Sequence, residues 1–213
     1  MNSKDLGYYS LGRNYGYYLD KAPQNVLNEL KQQVDNLQSN FDKGKKYNYS
    51  LAGEIKHEYQ IKPQSQTKQY IKDLSQQFEN ESQYMTSHYS PLPTLKFNNL
   101  WVNFQQKYEY NPIHNHLGAY SFVIWYQIPF TFEDEKKYSY NQQKHNNRSY
   151  PGQFSFIYPC LYPKVGVSIC PLNIDKSKEG YVAIFPSNLD HTVHPFYSSN
   201  EYRITIAGNI EKV

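Results

Sequence analysis

The sequence has no long apolar run and no excess of charge of either sign. No apolar stretch reaches the roughly 18 residues that a membrane-spanning helix needs, and the start MNSKDLGYYS lacks the apolar segment of a secretory signal. Lys plus Arg number 22 against 19 Asp plus Glu, a net charge of +3. Because no basic run is present, a nucleic-acid partner is not indicated. We therefore expect a soluble, cytoplasmic protein.

Cysteine is scarce as well. Cys160 and Cys170 are the only two, and they stand on either side of LYPKVGVSI, where they could face each other across a hairpin. Thiols stay reduced inside the cell, so without a secretory signal we expect two buried thiols rather than a disulfide.

What the sequence does have is aromatic bulk. Its 213 residues include 23 tyrosines and 11 phenylalanines, enough to build the core of one domain. The first half predicts two amphipathic helices. One begins at Pro23 and stops near Gly44, and the other follows Pro63 and runs to about Met85. Each has a single apolar face and needs a surface to lie against.

After Ser90 the pattern changes from helices to strands. Seven strands are predicted, at about 96–106, 113–116, 118–128, 152–158, 165–170, 180–186 and 201–210. The third of these is apolar on both faces and should be central and buried. Helices first and strands afterwards favour an α+β, mainly-β fold. We expect residues 1–95 to form a helical segment packed on a β-sandwich core, residues 96–213, within one compact domain.

A pair of histidines precedes the longest apolar run. Side chains two apart on a strand leave the same face, so His114 and His116 could occupy adjacent positions on one metal ion. Two polar residues at a strand edge would give the same pattern.

A third ligand should come from a neighbouring strand. His191 and His194 are three apart and so face different ways on an extended chain; only one of them should join the pair. We favour His191, because it follows the buried strand of GYVAIFPSNLD where the chain should turn at a barrel mouth. His194 then lies behind the site or at the surface.

The segment YRITIAGN carries a second polar signal. Alternation puts Arg203 and Thr205 on the face opposite its isoleucines. A guanidinium inside a narrow barrel is costly unless it meets an anion. Its fork fits a carboxylate, to which the Thr205 hydroxyl could add a hydrogen bond. The alternative is a structural ion pair with an acid such as Glu201 or Glu109.

Taken together, PIHNH, FPSNLDH and the R-x-T strand resemble a known pattern. Residues 98–210 are similar to the iron- and 2-oxoglutarate-dependent oxygenases, specifically the small members common in bacteriophage genomes. The resemblance implies a double-stranded β-helix, or jelly roll, backed here by the N-terminal helices. It also implies an enzyme that uses Fe(II), 2-oxoglutarate and O2 to oxidise a C–H bond, with release of succinate and CO2.

The resemblance also assigns roles to residues. His114, His116 and His191 would hold Fe(II), while Arg203 and Thr205 would bind the far carboxylate of 2-oxoglutarate. Further pocket residues are expected among Trp101, Asn103, Tyr120, Ser121, Tyr126 and Tyr181. The polar insertion at 130–150 is long for a compact domain and is our candidate for a loop that covers the substrate.

One departure from the family pattern matters. The usual iron site has two histidines and one carboxylate, and here His116 stands in the carboxylate position. Three neutral ligands leave Fe(II) with its full +2 charge, which a 2-oxoglutarate dianion would neutralise. A three-histidine set is equally a catalytic zinc arrangement. Asn115 points away from its neighbours, and Asp190 is out of phase unless the chain bends.

Two other classes of protein remain open. A cupin-like metalloenzyme without 2-oxoglutarate would place a glutamate four or five residues after the second histidine, where this chain has Tyr120 and Ser121. A non-catalytic jelly-roll module that binds sugars or builds virions would make the histidines incidental. No motif points to a particular primary substrate or oligomeric state.

Overall fold

The computed structural model describes residues 6–12, 15–85, 87, 89–91, 93–138, 151–160 and 165–213. Within these residues lie three α-helices, namely α1 (Gln24–Ser39), α2 (Ser65–Ser82) and α3 (Phe132–Lys137). The same residues form twelve β-strands: β1 (Gly7–Gly12), β2 (Tyr15–Lys21), β3 (Lys45–Lys46), β4 (His57–Gln60), β5 (Leu95–Gln105), β6 (Asn111–His114), β7 (Tyr120–Gln127), β8 (Phe154–Cys160), β9 (Gly166–Leu172), β10 (Tyr181–Pro186), β11 (Asp190–Val193) and β12 (Arg203–Lys212).

The strands form two antiparallel sheets. The larger has the order β1-β2-β10-β7-β12-β5-β4-β3, and the smaller has the order β6-β11-β8-β9. From β5 onward the chain passes back and forth between them: β5, β7, β10 and β12 belong to the larger sheet, and the strands between them to the smaller. β7 lies between β10 and β12 and is mostly buried, as its two apolar faces predicted.

Helices α1 and α2 cover the outer face of the larger sheet. Their apolar residues join the isoleucines of β12 in one buried cluster, to which the two helices contribute Val26, Leu30, Val34, Ile71, Leu74 and Phe78. A second cluster, which includes Trp125, Phe154, Phe156 and Phe185, fills the space between the sheets. The helices therefore bury one face of the larger sheet, and the smaller sheet buries the other.

The predicted helix ends need correction. α1 begins after Pro23 as expected, but it ends at Ser39 because Asn40 takes up extended backbone at φ −159° and ψ 92°. Gly44 follows a short 3-10 turn at Phe41–Lys43 instead of ending the helix. α2 ends where Gln83 enters the left-handed region at φ 52°.

The first 95 residues supply strands as well as helices. β1 and β2 extend the larger sheet beyond β10, and β3 and β4 extend it beyond β5. These strands had given no clear period in the sequence. Strand β11 and helix α3 were also not predicted, and β11 carries His191.

The two cysteines lie on one hairpin but do not oppose each other. In the β8–β9 register Cys170 pairs with Phe156, and Cys160 pairs with Gly166. Both are free thiols, as expected, but their side chains are half-buried rather than buried. None of the helices in the described ranges is long and apolar enough to cross a membrane.

The packing of α1 on the larger sheet predicts a graded stability effect. Leu30 is 0% exposed, so Leu30→Ala should lower the free energy of unfolding by about 2–5 kcal/mol. Leu37→Ala, on the same helix but only half-buried, should cost clearly less. Urea unfolding curves of both variants measure the difference, and equal losses would contradict this packing.

Candidate metal centre

Three histidines from two segments of the chain converge at one end of the smaller sheet. The candidate ligand nitrogens of His114, His116 and His191 all lie within 4.8 Å of one another. Nitrogens bound at about 2.1 Å to one tetrahedral ion lie roughly 3.4 Å apart. The nitrogens would therefore have to approach one another by up to about 1.4 Å to share an ion.

Strand pairing produces most of this arrangement. β6 and β11 run antiparallel, and His191 is directly opposite His114, with ring centroids 4.2 Å apart. Directly opposed residues project from the same face of a sheet. Two residues far apart in sequence thus become neighbours on one surface.

His116 follows the end of β6 and is positioned by a tight turn into β7. Its backbone N–H donates to Ser187 O at 2.8 Å. Gly118, at φ +121°, allows the turn, because a Cβ there would lie 2.7 Å from Ile210 O. The His116 ring lies beside Trp101, with centroids 5.8 Å apart.

Hydrogen bonds orient the other two rings. Nδ1 of His114 lies 2.7 Å from Pro112 O, and Nδ1 of His191 lies 3.0 Å from Leu189 O. A carbonyl can only accept, so each Nδ1 carries the hydrogen and each Nε2 keeps a free lone pair. Metal-binding histidines are usually held in this way.

Burial keeps all three imidazoles neutral. Desolvation lowers the pKa of His114, and desolvation together with His114 lowers the pKa of His116 to about 4. His191, enclosed by the rings of Phe154 and Phe185, has its pKa lowered well below its usual value, again mainly by desolvation. The set therefore offers a cation three neutral nitrogen donors at neutral pH.

Asp190 does not supply the missing carboxylate. Its Oδ1 accepts a hydrogen bond of 2.7 Å from Asn115 Nδ2. Both residues alternate with the histidines along their strands, so this bond lies on the opposite face. It ties the loop after β6 to β11, and it leaves His114, His116 and His191 as the group of possible ligands found among the described residues.

The guanidinium of Arg203 is buried in the same space between the sheets. Its Nε donates to Gln105 Oε1 at 3.0 Å and its Nη2 to His194 O at 3.1 Å. Nη2 also donates to Gln105 Oε1, and Nη1 donates to Gly152 O. The rings of Phe130 and Phe196 flank it, 5.8 and 5.7 Å from Cζ.

Every one of these acceptors is neutral. Among the described residues the ion pairs within 4.0 Å are Lys31–Asp35 and Lys136–Glu133, so the predicted alternative of an Arg203 pair with Glu201 or Glu109 is not found there. Burial lowers the pKa of Arg203 to about 9, while the charge of Glu135 acts in the opposite direction. The guanidinium thus stays positive at neutral pH without a directly contacting counterion.

Thr205 lies two residues along β12, on the same face as Arg203. Its Oγ1 accepts a hydrogen bond of 3.2 Å from Asn103 Nδ2. The three histidines, Arg203 and Thr205 all line one cleft, in which about 50 Å³ is open to the centres of water-sized molecules. The histidine end and the guanidinium end of the site therefore face the same cleft.

The other predicted pocket residues divide between two faces of the larger sheet. Trp101, Asn103 and Ser121 line the cleft. Tyr120 faces the helices, where its hydroxyl donates to Glu79 at 2.6 Å. Tyr126 also packs on the helix side, and Tyr181 packs at the rim of the inner cluster.

Several cleft residues were missed from the sequence. Leu51, Ala52 and Ile55 line it from the segment before β4, whose sequence pattern is ambiguous between a short helical turn and a surface element. Gln105 was missed because an inward glutamine on a strand looks like any polar position. Its role depends on Arg203, which reaches it only through the β5–β12 pairing.

The described part of the 130–150 insertion is anchored to the body of the protein. In α3, the buried carboxylate of Glu135 accepts hydrogen bonds from the backbone N–H groups of Tyr197 and Ser198, at 3.0 and 2.9 Å. Residues 139–150, the rest of the segment predicted to cover the substrate, lie outside the described residues.

The chain also matches the model of a known protein family. The model described as "Putative 2OG-Fe(II) oxygenase" matches residues 99–209, more than half of the chain. The chain belongs to this family. The match spans the histidine cluster, Arg203 and Thr205, and membership implies Fe(II) and 2-oxoglutarate as the cofactors.

One solved structure supports the fold of this 2OG-Fe(II) oxygenase family member. A prolyl-4-hydroxylase from Pseudomonas putida matches with a TM-score of 0.57 and 11% identity, over 93% of this chain and 94% of that one. An oxidoreductase of the 2OG-Fe(II) oxygenase family from Burkholderia pseudomallei matches with a TM-score of 0.47 and 12% identity, over 92% and 84%. No curated protein matches at a significant level.

The cluster predicts that His191 and His194 behave differently. His191→Ala should weaken Fe(II) binding by roughly 100-fold or more, since loss of a group that only orients a ligand already costs about 10–100-fold. His194→Ala should leave metal affinity nearly unchanged, because its ring is outside the cluster and its backbone carbonyl is retained. Anaerobic calorimetry with Fe(II) measures both, and equal affinities in the two variants would contradict the assignment.

Proposed function

We propose that this chain is a non-haem Fe(II)- and 2-oxoglutarate-dependent dioxygenase. It oxidises a C–H bond of a primary substrate with O2 and releases succinate and CO2. The observation that carries the proposal is the presence, in one cleft, of three neutral imidazoles and a buried guanidinium that has no acid in contact with it. The three imidazoles suit a cation, and the guanidinium suits an anion.

We further propose that the two sheets form a jelly roll. The alternating placement of β5 to β12 between the sheets supports this, because a double-stranded β-helix is wound in the same way. Residues 96–213 would be the catalytic core. Residues 1–95 would support it through α1, α2 and the added edge strands.

The metal site would be formed by Nε2 of His114, His116 and His191. All three are neutral, so no proton has to leave for a metal to bind. With no carboxylate among the ligands, Fe(II) would keep its +2 charge. When bound, the iron would supply the O2-activating redox chemistry, with 2-oxoglutarate as the source of two electrons.

The diacid would lie between the histidines and Arg203. Its two negative charges would balance the iron, and its far carboxylate would meet a guanidinium that has no acid in contact. Desolvated charge pairs of this kind are strong where hydrogen bonds are also formed. Phe154, Phe185 and Phe130 would keep water from the walls around it.

Arg203 has a limited number of N–H groups to give. Four of its five already have acceptors, and two of these four point to Gln105 Oε1. A bidentate carboxylate contact therefore requires Gln105 to move aside. Gln105 occupies the fork as a neutral substitute for the diacid.

Anaerobic titration of the metal-free protein with Fe(II) and then 2-oxoglutarate tests the function. We expect the visible charge-transfer band of an Fe(II)–2-oxoglutarate chelate, and slow succinate formation once air is admitted. A protein that holds zinc tightly and gives neither the band nor succinate would contradict the proposal and favour a zinc hydrolase.

Arg203 variants test the far end of the site. Arg203→Ala should weaken 2-oxoglutarate binding by about 2–5 kcal/mol, roughly 30-fold or more, and leave Fe(II) binding intact. Arg203→Lys keeps the positive charge but not the forked pair of N–H donors. Its affinity for 2-oxoglutarate should therefore lie between those of the wild type and Arg203→Ala. If Arg203→Ala binds 2-oxoglutarate as the wild type does, the assignment of Arg203 is wrong.

Removing the Gln105 side chain should have the opposite effect on 2-oxoglutarate affinity. Gln105→Ala frees two N–H groups of Arg203, so 2-oxoglutarate should bind about 5- to 10-fold more tightly, the equivalent of about one hydrogen bond. The same calorimetric titration measures it. Weaker binding in Gln105→Ala would mean that Gln105 holds Arg203 in place rather than competing with the diacid.

A further inference from the structure

The buried carboxylic acid of Glu58 lies in one row of cross-strand neighbours with Asn103 and Thr205. Glu58 on β4 pairs with Asn103 on β5, and Asn103 pairs with Thr205 on β12. Directly opposed residues project from one face, with Cβ atoms about 5 Å apart. The three side chains therefore stand in line across the inner face of the larger sheet, and Glu58 is 2% exposed.

Two oxygens in this row have no hydrogen-bond partner among the described residues. They are Glu58 Oε1 and Asn103 Oδ1, both buried. The other ends are engaged, because Asn48 Nδ2 donates to Glu58 Oε2 at 3.2 Å and Asn103 Nδ2 donates to Thr205 Oγ1 at 3.2 Å. Two unpaired acceptors on adjacent residues are unfavourable when buried, and a single proton between them would satisfy both.

The electrostatics around Glu58 favour that proton. Burial raises the pKa of Glu58 to about 8, and the negative charge of Glu109 contributes. Glu109 itself is held by the backbone N–H groups of Lys56 and Gln106, at 3.1 and 2.8 Å. Asn48 and Asn103 face the Glu58 carboxyl group from the neighbouring elements, whereas the N–H of Tyr47 donates to the backbone carbonyl of Glu58.

We propose that Glu58, Asn103 and Thr205 form a proton-dependent relay that sets the direction of the Thr205 hydroxyl. The relay rests on the proposed function, because it controls whether the Thr205 hydroxyl donates a hydrogen bond to the far carboxylate of 2-oxoglutarate. Glu58 is thus a positioning residue that acts on the diacid without touching it.

The relay has two states that differ by one proton. With Glu58 protonated, its O–H donates to Asn103 Oδ1 and Asn103 Nδ2 donates to Thr205 Oγ1. The Thr205 hydrogen is then free to donate to the diacid. When Glu58 releases its proton to solvent, the Asn103 amide turns over: Nδ2 donates to the Glu58 carboxylate, and Oδ1 accepts from the Thr205 hydroxyl.

The second state disfavours the diacid in two ways. Thr205 now presents only lone pairs to the cleft, and a new negative charge lies two strands away. Affinity for 2-oxoglutarate should therefore fall as pH rises through the pKa of Glu58. Loss of one hydrogen bond to a charged group corresponds to roughly tenfold or more.

Anaerobic calorimetry of the Fe(II)-loaded protein with 2-oxoglutarate between about pH 6.5 and 9.5 tests the relay. The wild type should lose about tenfold more affinity over this range than Glu58→Gln, whose amide donates to Asn103 Oδ1 at every pH. Thr205→Val should bind 2-oxoglutarate weakly, and it should also lack the extra loss of affinity with rising pH that is expected of the wild type. Glu109→Gln, which removes the neighbouring charge, should move the wild-type midpoint to lower pH.

A second readout needs neither iron nor 2-oxoglutarate. The folded pKa of Glu58 is raised, so the folded state binds this proton more tightly than the unfolded state. The contribution of Glu58 to the stability of the metal-free protein should then fall as pH rises from the unfolded value near 4.3 through about 8, while the buried histidines contribute in the opposite direction up to about pH 6.5. The difference in stability between the wild type and Glu58→Gln isolates the Glu58 contribution, and Glu58→Gln should also lose the carbonyl stretch of a protonated carboxyl in the infrared difference spectrum.

The outcomes separate the two claims. If 2-oxoglutarate binds with the same pH profile in wild type and Glu58→Gln, the relay is wrong and the proposed function stands. If Glu58 is ionised at pH 7 by the infrared and stability measurements, the relay is also wrong. If the wild type binds no 2-oxoglutarate at any pH, the proposed function fails and the relay fails with it.

Discussion

The pairing of β6 with β11 is the constraint on which the site depends. It sets His191 opposite His114 and leaves His116 at the start of the next turn, where backbone contacts to Ser187 hold it. Desolvation makes the three imidazoles poor acceptors of protons, so at neutral pH they could offer three neutral nitrogen donors to one cation. The geometry of the candidate metal site therefore follows from the strand register and from burial together.

The cleft is polar at both ends, and the charges at those ends are complementary. The histidine end attracts a cation, while Arg203 is a buried cation surrounded by the neutral acceptors Gln105, Gly152 and His194. A small dicarboxylate between a divalent metal and a guanidinium would balance the whole arrangement. Neutral groups already hold the guanidinium in place, and in the proposed function a diacid would replace Gln105 on it.

Much of this was readable from the sequence where local periodicity was strong. Alternation in YRITIAGN separated Arg203 and Thr205 from the isoleucines, and the two-sided apolar run predicted the central strand β7. The parts that were missed depend on pairing between distant segments. β4 has four residues and no clear period, yet it carries Glu58 into the row of Asn103 and Thr205. β11 is equally short, and only its partners β6 and β8 make it a strand.

The central claim is that three imidazoles hold one iron while Arg203 receives the far carboxylate of 2-oxoglutarate. The most direct measurement is an anaerobic crystal structure with Fe(II) and 2-oxoglutarate, with the iron located by its anomalous scattering. The account predicts one iron peak bonded to His114, His116 and His191, with the diacid reaching from the iron to Arg203. An iron bound by fewer than three of these histidines, or a diacid that leaves Gln105 on Arg203 and lies elsewhere, would contradict it.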